Sequence, residues 1–89
     1  MTEQEQVNRG DDAERLLSNY LFKESVEMVS AGIVSSMEQS ALGDQSTHNR
    51  LVIALQLLNK IEKNIIDIAQ TGKMVKMQLE NKGLFSRFK

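Results

Sequence analysis

The chain has 89 residues, enough for one small domain, and it contains no cysteine and no proline. Disulfides and thiolate metal sites are therefore excluded, and of the usual stabilising devices for so small a domain oligomerisation is the one left. The formal charge of −1 conceals an asymmetry, because residues 1–49 carry nine acidic and three basic residues whereas residues 50–89 carry three acidic and eight basic ones. We expect helices of opposite charge to pack side by side or across an oligomer.

The composition also indicates the fold class. Glu, Gln, Leu, Met and Lys are abundant, and together with the absence of proline they predict helix almost throughout. The apolar runs are far too short to span a membrane, and the polar start Thr-Glu-Gln-Glu-Gln after Met1 is unlike a signal peptide. We therefore predict an all-α, soluble protein that is made inside the cell and has no membrane span.

Residues 1–9 are polar and without periodicity, which predicts a disordered lead-in to a helical domain over residues 10–82. Asp11, Asp12 and Glu14 then precede the apolar pair Leu16 and Leu17. Acidic residues favour the first turn of a helix, so we predict a short helix over 11–17. Ser18 or Asn19 could cap a new helix, or the chain could continue straight through.

The next segment predicts one longer helix. Its apolar stripe recurs at steps of 4, 3, 4 and 4 over Phe22, Val26, Val29, Ile33 and Met37. Beside the stripe, Ser18, Ser25 and Gly32 fall seven residues apart. A glycine inside a helix costs about 1 kcal/mol relative to alanine, so one hypothesis is that Gly32 allows close approach of another backbone. The alternative is a tolerated glycine without a packing role.

A break follows this helix, and a second long helix follows the break. Gly43 suits a left-handed position after a helix end, and Asp44 with Thr47, or alternatively Ser46, suits the next helix start. The short reversal predicts an antiparallel helical hairpin. In the second helix the main apolar stripe comprises Leu51, Leu55, Leu58, Ile61, Ile65 and Ile68.

A second apolar row in this helix contains Ile53, Leu57 and Ile66. A single partner helix cannot cover both rows, so we predict self-association of the hairpin into a helical bundle through Ile53, Leu57, Ile66 and Gly32. Gly72 interrupts the pattern as a kink, a break or a weak point, and Gly83 is expected to end the helix.

The C-terminal segment 83–89 forms a basic and aromatic tail. It contains three large apolar residues and two basic ones. The predicted partner-binding residues are Leu84, Phe85, Arg87 and Phe88. The tail could fold back on its own bundle, dock in a groove of a larger protein, or lie on an acidic membrane surface.

No pattern predicts catalysis. His48 is the only histidine, so no histidine-based zinc set can form, and the Thr-Gly-Lys-Met stretch at 71–74 lacks the remaining residues of a phosphate-binding loop. We predict a non-enzymatic protein without cofactor or metal. A nucleic-acid surface is the alternative, with the candidate contacts Lys60, Lys63, Lys73 and Lys76, although no aromatic residue interleaves them for base stacking.

Three stretches together resemble a loosely defined class of short phage-encoded helical proteins. These stretches are GDDAERLLSNYLFKESVEMV, SALGDQSTHNR and the helix end TGKMVKMQLE, and the resemblance covers roughly residues 10–80. Such proteins tend to be encoded among genes for head assembly and DNA packaging. The resemblance implies a phage accessory protein that binds a larger head, portal or packaging protein, located in the host cytoplasm during assembly or in the virion. The alternative is a dimeric hairpin regulator that binds nucleic acid with the basic face of its second helix.

Overall fold

The computed structural model describes the backbone of residues 1–87 and the side chains of residues 1–83. These residues form three helices: α1 (Glu3–Ser18), α2 (Tyr20–Gln39) and α3 (Gln45–Arg87). No strand occurs among residues 1–87. The predicted all-α class is therefore confirmed.

Helix α1 begins at Glu3 rather than at residue 11, so residues 3–9, for which the sequence predicts disorder, are helical. The Thr2 hydroxyl accepts a hydrogen bond from the Glu5 N–H at 3.1 Å, and Glu3 and Glu5 place negative charge in the first turn. The buried residues of α1 are Val7, Gly10 and Ala13, one every third position. Two of these three are small, which explains why an apolar stripe is hard to recognise in the sequence.

Asn19 separates α1 from α2. Its backbone is extended, with φ −71° and ψ 120°, and its side-chain oxygen accepts hydrogen bonds from the N–H groups of Leu21 at 2.9 Å and Phe22 at 3.1 Å. These are the unsatisfied donors at a helix start, so Asn19 acts as the N-cap of α2. Of the three alternatives for this boundary, the structure has a new helix capped by Asn19.

A short connection joins α2 to α3. Ser40 ends α2 by donating from its hydroxyl to the Met37 carbonyl at 2.7 Å, and the Asp44 N–H donates to the Ala41 carbonyl at 2.9 Å. Asp44 then caps α3 as predicted, because its carboxylate accepts from the Thr47 N–H at 3.1 Å. The predicted left-handed conformation of Gly43 is wrong: no described residue has a positive φ, because Ser40 closes the helix by a side-chain hydrogen bond instead.

Helix α3 is continuous over 43 residues. It passes through Gly72 without interruption, and it passes through Gly83, which the sequence predicts as its end, to Arg87. Gly83 has no described atom within 4 Å of the position that a Cβ would occupy, so nothing there requires glycine. A helix tolerates an isolated glycine at a cost of about 1 kcal/mol, which flanking helix formers offset.

The chain divides into two compact units. Unit 1 consists of Met1–Leu17 and α3 from Asn64 onward, and unit 2 consists of Ser18–Lys63. In unit 1, α1 runs antiparallel to this part of α3. A Cβ at Gly72 would lie 2.6 Å from Gly10 Cα and 2.9 Å from the Gln6 carbonyl oxygen, so the two backbones touch at this crossing. Glycine is required at both positions, and this requirement accounts for Gly72.

Small residues flank the crossing on both helices of unit 1. Val7, Gly10 and Ala13 of α1 are buried, as are the corresponding Ala69, Gly72 and Val75 of α3, which repeat the same spacing of three residues. Short side chains at this spacing allow the helices to approach closely and to interlock by van der Waals contact.

Two ion pairs lie beside this contact. Lys73 Nζ is 3.2 Å from a carboxylate oxygen of Glu14, and Lys82 Nζ is 3.7 Å from one of Glu3. Acidic α1 therefore lies beside the basic end of α3, in agreement with the side-by-side arrangement inferred from the charge asymmetry. Both lysine side chains are more than two-thirds exposed, so each pair contributes at most about 1 kcal/mol.

Candidate functional site

Helix α2 has an unusual surface for a helix of a folded domain, because none of its 20 residues is buried. Its most covered apolar side chains, Phe22, Val26, Ile33 and Met37, are only partly buried. Val29, which the sequence places in the same stripe, is 52% exposed. The predicted stripe is therefore right at four of its five positions, and within the chain it is half covered.

A second row on α2 lies outside this stripe. Leu21 and Met28 are more than half exposed, and they alternate with the exposed small residues Ser25, Gly32 and Ser35 at steps of three and four. No described atom lies within 4 Å of the position of a Cβ on Gly32. A regular alternation of three and four residues is typical of a helix that packs along another helix. We name Leu21, Ser25, Met28, Gly32 and Ser35 the α2 row.

The unit 2 part of α3 repeats this arrangement. Leu51, Leu55 and Leu58 are partly buried, whereas Ile53, Leu57 and Ile61 are each more than half exposed. Ile61 belongs to the main stripe in the sequence prediction, and Glu62 is partly buried in its place. The exposed residues recur every fourth position, and we name Ile53, Leu57 and Ile61 the α3 row.

The predicted self-association residues fall in different places. Gly32 belongs to the α2 row, and Ile53 and Leu57 belong to the α3 row, all within unit 2. Ile66 belongs to unit 1 and is 37% exposed. In the structure, Ile53 and Leu57 lie on one face of α3. The next exposed residue of that face is Ile61 and not the predicted Ile66.

Sequence reasoning missed Leu21, Met28 and Ile61 as candidate contact residues. Their signal was present, because Leu21 and Met28 stand seven residues apart and each precedes a small residue, Ser25 or Gly32, by four. It was masked by the neighbouring stripe, since the sequence alone does not show which of two adjacent apolar rows the chain itself covers. The close contact of Gly10 with Gly72 was missed because the two residues are distant in the chain.

The predicted partner-binding tail lies at the edge of what the structure shows. The backbone of Leu84, Phe85 and Arg87 belongs to α3. Their side chains, and all of Phe88, lie outside the described residues. The partner-binding hypothesis for these four residues therefore stays a prediction.

The four candidate nucleic-acid contacts divide between the two units. Lys60 and Lys63 are exposed on unit 2, and Lys73 and Lys76 are exposed on unit 1. Lys73 already pairs with Glu14. Part of the positive charge in this set is thus compensated within the chain, which weakens its attraction for a phosphate backbone.

Asp44, in the connection between α2 and α3, carries a carboxyl group with a shifted pKa. The hydrogen bonds from the Thr47 side chain and backbone lower the pKa of the Asp44 carboxyl below its ordinary value of 3.8. A cleft of about 270 Å³ beside it reaches His48, and another of about 220 Å³ lies next to Arg9 and Asp67 in unit 1. Both are below the range of roughly 300–1,000 Å³ that is usual for small-molecule sites.

Over residues 1–83, no three or more side chains of His, Cys, Asp or Glu converge in a way that could hold a metal ion. Within the part of the chain that the structure covers, no helix combines the length and apolarity needed to cross a membrane. Comparison with protein-family models, curated proteins and solved structures found no match to this chain.

Proposed function

We propose that this chain is a non-enzymatic phage accessory protein of the virion or of its assembly, which self-associates and binds a larger head, portal or packaging protein. The observation that carries the binding role is the exposure of large apolar side chains on both helices of unit 2, where α2 has no buried residue at all. Contiguous exposed apolar surface of this kind is typical of protein contact sites. The resemblance of residues 10–80 to short phage-encoded helical proteins supports the viral setting.

In this proposal, α2 and the first part of α3 pack as an antiparallel hairpin that self-associates into a bundle. The short connection from Ser40 to Asp44 and the partly buried rows on both helices support the hairpin. The exposed rows on the same helices support further association. The tail residues Leu84, Phe85, Arg87 and Phe88 supply the contact with the larger protein.

Co-purification tests the proposal. Tagged full-length protein is isolated from phage-infected cells and compared with a variant lacking residues 83–89, and the bound proteins are identified by mass spectrometry. We expect a head, portal or packaging protein in stoichiometric amount with the full chain, its loss with the shortened variant, and an unchanged melting temperature.

Two outcomes would contradict this proposal. A shortened variant that melts at a clearly lower temperature would indicate that the tail folds back on its own chain. Salt-dependent binding of DNA or RNA would instead favour the nucleic-acid regulator, provided that neutralising four lysines weakens this binding. The four lysines are Lys60, Lys63, Lys73 and Lys76.

A further inference from the structure

We propose that a second copy of this chain covers the α2 and α3 rows, and that the two copies meet around a two-fold axis perpendicular to the helices, with α2 against α2 and α3 against α3. This inference rests on the self-associating hairpin proposed above and specifies its contact surface and register. It follows from the placement, sizes and charges of the residues in the two rows.

The two rows lie on one side of the hairpin. On each helix the exposed row precedes the partly buried row by one residue: Ser25 and Gly32 precede Val26 and Ile33, and Leu57 precedes Leu58. One residue corresponds to a rotation of about 100°, in the same sense on both helices. Because the helices of a hairpin run in opposite directions and face each other, equal rotations place both rows on the same side.

The α2 row is complementary to itself in the antiparallel direction. When Leu21 stands opposite the second copy's Gly32, Met28 stands opposite the second copy's Ser25. Each large side chain then meets a small residue, and the open space over Gly32 receives a leucine. A two-fold axis produces each of these contacts twice, as an isologous interface requires.

The α3 row has the same symmetry about the same axis. Around Leu57, Ile53 stands opposite the second copy's Ile61, and Leu57 faces its own equivalent. The centre of the α2 row, between Ser25 and Met28, lies about 12 residues before the end of α2, and Leu57 lies about 12 residues after the start of α3. Both centres therefore stand at the same height in the hairpin, so one axis passes through both.

Charge and area also favour a second copy as the occupant. The rows contain no charged residue, and unit 2 is almost neutral, with four basic residues (Lys23, Arg50, Lys60, Lys63) against five acidic ones (Glu24, Glu27, Glu38, Asp44, Glu62). Two such faces do not repel each other. If the five large side chains of the two rows each lose roughly 100 Å², two copies bury on the order of 1,000 Å², about the smallest area expected of a specific interface. These side chains are Leu21, Met28, Ile53, Leu57 and Ile61.

Spin-label distances in the full chain test the register. The chain has no cysteine, so Glu27→Cys and Glu38→Cys each introduce one labelling site, outside both rows. In the proposed dimer the two labels at 27 are almost level, whereas those at 38 are separated by about 35 Å along the helix axes. We expect the distance between labels at 38 to exceed that at 27 by at least about 10 Å. Equal distances at both sites would overturn the register and leave self-association intact.

The substitution Gly32→Leu tests the contact itself. Leucine has open space in the single chain and favours helix more than glycine, so helicity is expected to be retained. In the dimer it would collide with Leu21 of the second copy, and we expect the dimer dissociation constant to rise at least about tenfold.

The matched control adds the same side chain on the other side of α2. Lys23→Leu lies away from the α2 row and is expected to change the dissociation constant by less than about threefold. Equal effects of the two variants, or no effect of Gly32→Leu on a dimer, would overturn the proposed surface but not self-association. A wild-type chain that stays monomeric would overturn both.

Discussion

At the scale of single residues, the contact between Gly10 and Gly72 determines how closely α1 and α3 approach in unit 1. A Cβ on either glycine would lie less than 3 Å from the Cα of the other. Neither helix can yield locally, because the colliding atoms belong to the backbone. The close crossing is therefore possible only because both residues lack a Cβ atom.

We predict that Gly72→Ala destabilises the protein although alanine favours helix. The gain in helix propensity is about 1 kcal/mol, and the backbone collision costs roughly 2–3 kcal/mol, which leaves a net loss of about 1–2 kcal/mol. Thermal unfolding should show a melting temperature lowered by roughly 5–10 °C. Gly83→Ala in the same helix is the matched control, since nothing described lies within 4 Å of its Cβ position, and it should not lower the melting temperature. Equal effects of both variants would show that the close crossing is absent in solution.

The glycines also show what a sequence reveals at this scale. The capping role of Asp44 could be predicted, because a cap depends on neighbours within three residues. The role of Gly72 could not, because it depends on Gly10, which is distant in the chain. Local spacing left a kink, a break or a weak point as alternatives, whereas in the structure α3 is unbroken at Gly72 and the contact with Gly10 gives this glycine a packing role.

At the scale of elements, the start of α3 depends on the ionised Asp44 carboxylate. Hydrogen bonds from Thr47 lower the pKa of this carboxyl below 3.8 in the folded chain, so its stabilising contribution is complete above that pH. The contribution is lost as the pH falls below 3.8 through the lowered pKa. The carboxyl is exposed, so the effect is confined to the first turns of α3.

The Asp44→Asn variant separates this cap from other acid effects. Asparagine caps a helix without a titratable group. We expect amide exchange at Thr47 to accelerate in the wild type between pH 4 and pH 2, relative to the variant at the same pH. Identical pH dependence of exchange in the two proteins would show that Asp44 does not cap α3 through its charge.

The three helices show which elements can be predicted from the spacing of apolar residues. The stripes of α2 and α3 could be predicted because they contain large apolar residues at helical spacing. Helix α1 was predicted too short, since its buried face consists of Val7, Gly10 and Ala13, which contains too few large apolar side chains to form a recognisable stripe. The end at Gly83 was predicted wrongly because a glycine ends a helix only when the following residues adopt a different conformation.

At the scale of the whole molecule, the two units differ in what they bury. Unit 1 has a small buried core, which includes Val7, Ala13, Ala69 and Val75. In unit 2 no residue from 18 to 63 is buried, although its helices carry most of the large aliphatic residues. Covering a hydrophobic surface of this extent with another surface stabilises the protein, because apolar area is removed from water. The sequence predicts this need through its double apolar row, but the identity of the larger partner depends on surfaces outside this chain.

The central claim is that the exposed rows of unit 2 are covered by a second copy, and sedimentation equilibrium of the purified full chain tests it most directly. We expect a reversible equilibrium in which the mass rises to that of a dimer as the concentration increases through the micromolar range. A mass that stays at the 10.1 kDa of one chain over that range would contradict the claim.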